Sequence, residues 1–122
     1  SKIGILHGAK QYVIQDKEGQ IGKTESISAG LDYPGISPIH CYLKDIKRAR
    51  YTAISDEEAL EAFKLVSSLE KISPSLEPSH AFAEAIKIAP KLKKDNILIV
   101  NSCGDSLKDK DIIKKRLGHY SR

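Results

Sequence analysis

The stretch YTAISDEEALEAFKLVSSL, residues 51–69, decides the fold. It opens on a short apolar run, 51–54, that reads as a strand. It then enters a helix: Ser55 is a cap residue, Glu58 three positions on completes a capping box, and Ala59, Leu60, Phe63, Val66 and Leu69 recur at helical spacing as a buried face. A strand running straight into a helix is the first half of a crossover unit. Downstream, residues 72–76 predict a second short strand, demoted towards an edge or irregular segment because Pro74 removes a ladder donor. Glu77-Pro78-Ser79-His80 opens another helix, with Pro78 near its first turn, Ala81, Ala85, Ile86 and Ala89 on its packed face, and Pro90 ending or kinking it. Residues 97–100 form a continuous apolar run suited to a strand covered on both faces, stopping at Asn101-Ser102-Cys103-Gly104. The alternation predicts an α/β fold, a three-layer parallel βαβ arrangement with right-handed crossovers.

Upstream the pattern is that of a hairpin segment. Residues 3–6 are apolar, 11–15 alternate around Tyr12, Val13 and Ile14, and Asp16-Lys17-Glu18-Gly19 reads as a turn. A polar run punctuated by Gly and Pro follows, SISAGLDYPG at 26–35. Its small residues let the backbone approach a ligand closely, and Asp32 puts one charge at its centre. Pro38 then starts an amphipathic helix that carries Ile39, Tyr42, Leu43 and Ile46 to about Lys47.

Composition limits the alternatives. A chain of 122 residues with 40% hydrophobic content suits one folded domain, although at this size only roughly two thirds of the unfolded chain's surface is buried. The net charge of +4 comes from 20 basic and 16 acidic residues. Basic side chains cluster only at Lys91, Lys93 and Lys94 and in the tail 108–122, and read as solvated surface. With no Trp, two Phe and no interleaved aromatics, nucleic-acid binding is not expected. Cys41 and Cys103 have no CxxC spacing, and His7, His40, His80 and His119 form no paired ligand pattern, so no transition-metal site is expected. No long apolar run is present; a reduced, cytoplasmic chain without membrane contact is the simplest expectation.

Ligands of open α/β sheets bind beyond the carboxyl ends of the strands. Glu77 follows one predicted strand and Cys103-Gly104 follows another, so the two polar segments are expected on one rim, with the loop carrying Asp32 able to close over them.

Taken with P-x-H-x-Y-L-K at 38–44 and DEEALEAF at 56–63, SISAGLDYPG resembles the C-terminal part of the tryptophan synthase β chain, a type II pyridoxal-phosphate family that joins indole to L-serine. The resemblance covers about residues 4–111 and only about the last third of such an enzyme. It implies that 1–122 is a single partial domain: a hairpin and substrate-loop segment 1–36, an α/β segment 37–116 and a tail 117–122. The family's imine-forming lysine and Gly-rich phosphate loop lie upstream of anything in this chain, so the fragment alone is expected to be inactive.

What the resemblance implies for single residues is specific. By position in AGLD[FY]P, Asp32 contacts the serine-derived part of the substrate; a loop aspartate capping local amides is the alternative. The backbone carbonyls of Leu31, Tyr33 and Gly35 are implied ligands of a monovalent cation, against an ordinary turn. Glu77 matches the glutamate of LESSHA beside the cofactor ring, and equally suits a negative charge at a helix N-terminus. Leu6 and His7 stand where paired aromatics gate the indole tunnel. In the family's N-x-S-G-R-G-D-K-D, Cys103 takes the place of the serine that meets the pyridine nitrogen and Gly104 keeps its glycine. Aligning 109–111 as the terminal Asp-Lys-Asp requires two inserted residues and replaces Arg-Gly by Asp105-Ser106.

The complete protein is thus expected to be a lyase of tryptophan biosynthesis that uses pyridoxal 5'-phosphate to exchange the L-serine hydroxyl for indole. A β homodimer and an α chain or domain are its implied partners. A regulatory or partner-binding relic of the same family is the alternative, and a basic interaction module ranks behind both.

Overall fold

The computed structural model describes residues 1–118. His119 and the end of the expected tail 117–122 lie outside the described residues. The chain divides into two compact units, Ser1–Thr52 and the residues from Ala53 on. Together they hold four α-helices and one two-stranded antiparallel sheet among the described residues.

In the first unit, β1 (Lys2–Leu6) pairs with β2 (Ala9–Val13) in a register that sets Lys2 opposite Val13 and Leu6 opposite Ala9. The predicted hairpin is present, but its tight turn is His7-Gly8. Both residues have positive φ, 49° and 75°. That matches a two-residue turn whose twist suits a hairpin, with the glycine at its second position. The turn expected at 16–19 also forms: Gln20 N donates to Asp16 Oδ1 at 2.8 Å, and Gln15 bridges to Ile21. Helix α1 (Pro38–Asp45) starts at Pro38 as expected, with Ser37 Oγ accepting from Ile39 N at 3.3 Å. It ends two residues early, because Lys47 turns left-handed at φ 57°. Tyr12 ties it to β2: its hydroxyl donates to Asp45 Oδ1 at 2.7 Å and its ring lies 4.4 Å from Lys44 Nζ. The expected apolar stripe, however, has Ile39, Tyr42 and Ile46 exposed.

In the second unit, α2 (Asp56–Glu70) begins where the sequence predicts, with both bonds of the capping box formed: Glu58 N to Ser55 Oγ and Ser55 N to Glu58 Oε2. It packs on α3 (Leu76–Ile88) through Ala59, Leu60, Ala62, Phe63 and Val66, with Leu76 and Ala83 among the buried residues of α3. Fully burying a Phe or Leu contributes about 1.5–3 kcal/mol. Leu69, expected in this face, is 67% exposed, one turn beyond the buried stripe. The packed face of α3 also differs: Leu76, Pro78, Ser79 and Ala83 are buried, while Ala81, Ile86 and Ala89 are exposed. Helix α3 stops at Ile88 before a 3-10 turn containing Pro90, as expected. A further 3-10 turn at Ser106–Asp109 leads into α4 (Lys110–Leu117).

The expected parallel strands do not form a sheet among the described residues. Residues 51–54, 72–76 and 97–100 form no ladder with one another; Leu76 already belongs to α3, and Ile97 and Ile99 are 88% and 86% exposed. A strand is stable only where a neighbour takes up its backbone N–H and C=O groups. Among the described residues, the pairing in this region is an antiparallel bridge between Pro74 and Asp105.

Candidate functional site

The bridge at Pro74 brings the two predicted rim segments together. Ser75 N donates to Gly104 O and Ser106 N donates to Ser73 O, each at 2.9 Å, so 73–75 runs alongside 104–106. A Cβ on Gly104 would stand 3.1 Å from Ser75 Oγ, so that side chain would have to give by a few tenths of an ångström. Leu76 and Glu77 then start α3 directly after this contact. Leu76 N, one of the orphan amides of the helix N-terminus, donates to Asp109 Oδ2 at 2.8 Å. Asp109 is only 3% exposed. Lys108 Nζ donates to Glu77 Oε1 at 2.5 Å, with the Glu77 side chain 15% exposed. The Glu77 carboxylate, foremost through this bond, holds the Lys108 ammonium above its ordinary range.

Glu77, Cys103 and Gly104 therefore lie near one another in the second unit, although no parallel sheet supplies the rim on which they were expected. Lys108 and Asp109 join them, and the sequence reading missed both. Cys103 is exposed and both cysteines are free. His80 is occupied within its helix, with Nδ1 2.7 Å from Leu76 O. The geometry also favours a simpler register for the loop: counted without a gap from Asn101, the Lys-Asp that closes N-x-S-G-R-G-D-K-D falls on Lys108-Asp109. Those are the residues that face Glu77 and Leu76.

The SISAGLDYPG loop belongs to the first unit. Ile27 and Ser28 are buried, residues 29–31 make a 3-10 turn, and the chain is pinned to β2 by Ile14 N donating to Pro34 O at 2.7 Å and by a bridge between Val13 and Gly35. Glycine is required at 35: a Cβ there would lie 2.6 Å from Gln11 Oε1 and 2.8 Å from Leu6 Cδ2. Gln11 Nε2 in turn donates to Leu6 O at 2.8 Å. Leu6 is buried in this contact, whereas His7 is exposed and stacks on Tyr33, ring centroids 6.2 Å apart. The structure thus joins Leu6 to Gly35 and His7 to Tyr33. Asp32 is exposed, and its carboxylate caps no backbone amide among the described residues. Leu31 is exposed too. Among the described residues no three His, Cys, Asp or Glu side chains gather as a metal site, and no helix is long and apolar enough to cross a membrane.

The second unit thus sets a carboxylate, a thiol and a glycine near one another, and the first unit pins a separate Gly- and Pro-rich loop to a hairpin. The chain is 56% identical over 115 residues to the tryptophan synthase beta chain of Cereibacter sphaeroides, a match covering 94% of this chain and 28% of that protein. The beta chain of Ruegeria pomeroyi is 55% identical over 115 residues, with the same coverage. That of Chromobacterium violaceum is 56% identical over 110 residues, 90% of this chain and 27% of the relative. No family model matches. The chain is homologous to tryptophan synthase beta chains and matches their C-terminal part. It spans little more than a quarter of the length of these curated relatives.

Proposed function

We propose that the complete protein carrying this chain is a pyridoxal-phosphate-dependent lyase that replaces the hydroxyl of L-serine by indole, giving L-tryptophan and water. The observation that carries this reading is identity at more than half of the residues across 94% of the chain. When bound, pyridoxal phosphate supplies the electron sink for bond cleavage at the amino acid. The donor set on the second unit suits that group: the Cys103 thiol can face a neutral pyridine nitrogen, Gly104 leaves the backbone accessible, and the Glu77 carboxylate stands beside them to hold or receive a proton. Asp32, exposed and uncommitted to any local cap, accepts a hydrogen bond from the serine hydroxyl.

Leu6 and His7 border the indole passage, which the imidazole stacked on Tyr33 makes more polar than a phenyl pair would. The carbonyls of Leu31, Tyr33 and Gly35 bind a monovalent cation, for which carbonyl oxygens are suitable hard ligands. In the complete protein residues 51–54, 72–76 and 97–100 complete a parallel sheet, and the enzyme works in the cytoplasm as a β homodimer with an α chain. The 122-residue chain alone is inactive, because none of its lysines matches the family's imine-forming position.

The test is to express the longest native reading frame containing this chain, add pyridoxal phosphate, L-serine and indole, and measure tryptophan. Product from that protein and none from the 122-residue chain is expected. A folded, cofactor-bound protein that forms no tryptophan overturns the reading.

A further inference from the structure

We infer that Gln11 is a positioning residue that seats Leu6 against Gly35 and so fixes the width of the indole passage, an inference that rests on the place proposed above for Leu6. Alternation along β2 turns Ala9, Gln11 and Val13 to one face, and the pairing register puts Gly4 and Leu6 of β1 on that same face. Leu6 and Val13 make it a buried apolar layer, and Gln11 within it is only 8% exposed. An amide in such a layer is costly unless its polar atoms are bonded. Gln11 meets that demand across the hairpin. Its Nε2 donates to Leu6 O at 2.8 Å and reaches Ala9 O at 3.5 Å, so one side-chain amide spans both residues that flank the His7-Gly8 turn.

Backbone bonds fix the other side of the contact. Gly35 bridges to Val13, and Ile14 N donates to the preceding carbonyl, Pro34 O, at 2.7 Å, so the loop is held to the strand that carries Gln11. Two side chains converge over the bare Cα of Gly35: a methyl there would lie 2.6 Å from Gln11 Oε1, 3.2 Å from its Cδ and 2.8 Å from Leu6 Cδ2. Gln11 therefore ties the Leu6 backbone by a hydrogen bond and, by its bulk, closes the space into which the Leu6 side chain could relax. Without it Leu6 is free to leave Gly35, and the passage has no set width.

The experiment uses the complete polypeptide loaded with pyridoxal phosphate and labelled at leucine methyls and glycine, with Leu6 assigned through Leu6→Met. A nuclear Overhauser contact between a Leu6 methyl and Gly35 Hα is expected in the parent protein. Gln11→Ala should weaken that contact and lower the preference in kcat/KM for indole over a bulkier ring-brominated indole by about five-fold, the size of effect a lost hydrogen bond has, with the KM for L-serine unmoved. Gln11→Met keeps the bulk and drops the donor, and should move both readouts in the same direction by less. Thermal melting checks that each variant is folded. A contact retained in both variants, or an equal change in the indole and L-serine parameters, overturns the inference. Leu6→Ala tests the reading beneath it. Full discrimination in that variant removes Leu6 from the passage, whereas discrimination lost in Leu6→Ala and kept in Gln11→Ala overturns the inference alone.

Discussion

At residue scale, Asp109 and Gly35 show how one position joins distant stretches of chain. Asp109 is buried and accepts from Leu76 N, so Asp109→Ala leaves an orphan amide at the start of α3. We expect a loss of about 1–3 kcal/mol, read as a lower urea midpoint. Gly35→Ala places a methyl within 2.6 Å of Gln11 Oε1 and 2.8 Å of Leu6 Cδ2. Such overpacking costs about 1–3 kcal/mol, and a lower melting temperature is the check. Asp32→Asn should differ from both. Its carboxylate caps nothing, so the melting temperature should stay put while tryptophan formation by the complete protein falls. The glycine and aspartate of SISAGLDYPG stood out in the sequence. Asp109 did not, because a carboxylate in a Lys-rich run looks solvated until its partner 33 residues away is known.

At element scale, α2 was legible because its signals are local. Ser55 and Glu58 close their capping box within one turn. Lys87 first, and then the Ser55 amide, hold the Glu58 carboxyl below its ordinary value. A carboxylate lowered in this way contributes stability that is full above its unfolded pKa and is lost as pH falls through the folded one. Loosening of α2 in acid is therefore expected below about pH 4.5. Glu58→Gln should flatten the acid limb of a far-ultraviolet circular dichroism titration; an unchanged limb argues against the capping box as its source. Ser55→Ala should cost about 1 kcal/mol. Helix α3 was legible in extent and illegible in facing. Its Ala-rich stripe at 81, 85 and 89 gave no large apolar side chain to mark the facing, and the buried residues are Leu76, Pro78, Ser79 and Ala83 instead. The His7-Gly8 turn was less legible because its first position needs a positive φ, 49°, and His7 carries no turn signal of its own.

For the whole molecule, apolar residues that the sequence assigns to strands remain uncovered. Ile97 and Ile99 are almost fully exposed, and Ile3, Ile5, Ile39 and Tyr42 are exposed in the first unit. Exposed apolar runs with unpaired backbone associate. The isolated chain should therefore form larger species with rising concentration in light scattering, and Ile97→Lys with Ile99→Lys should suppress them. In the complete protein the same pair should lower stability, since there the run is proposed to lie in a covered sheet. Monomeric behaviour of the unmodified chain at all concentrations would count against this.

The sequence by itself determined the hairpin, three helix starts and the α2 capping box, because each rests on hydrogen bonds and periodicity within a few residues. It also determined the homology, through motifs that keep their spacing. The tertiary structure alone decided that Glu77 faces Lys108, that Asp109 holds the start of α3, and that Gly35 lies against Leu6 and Gln11. It also decided that residues 51–54, 72–76 and 97–100 find no ladder among themselves. The physical reason is range: a cap is satisfied by its own turn, whereas a strand or a buried carboxylate needs a partner that only folding brings alongside.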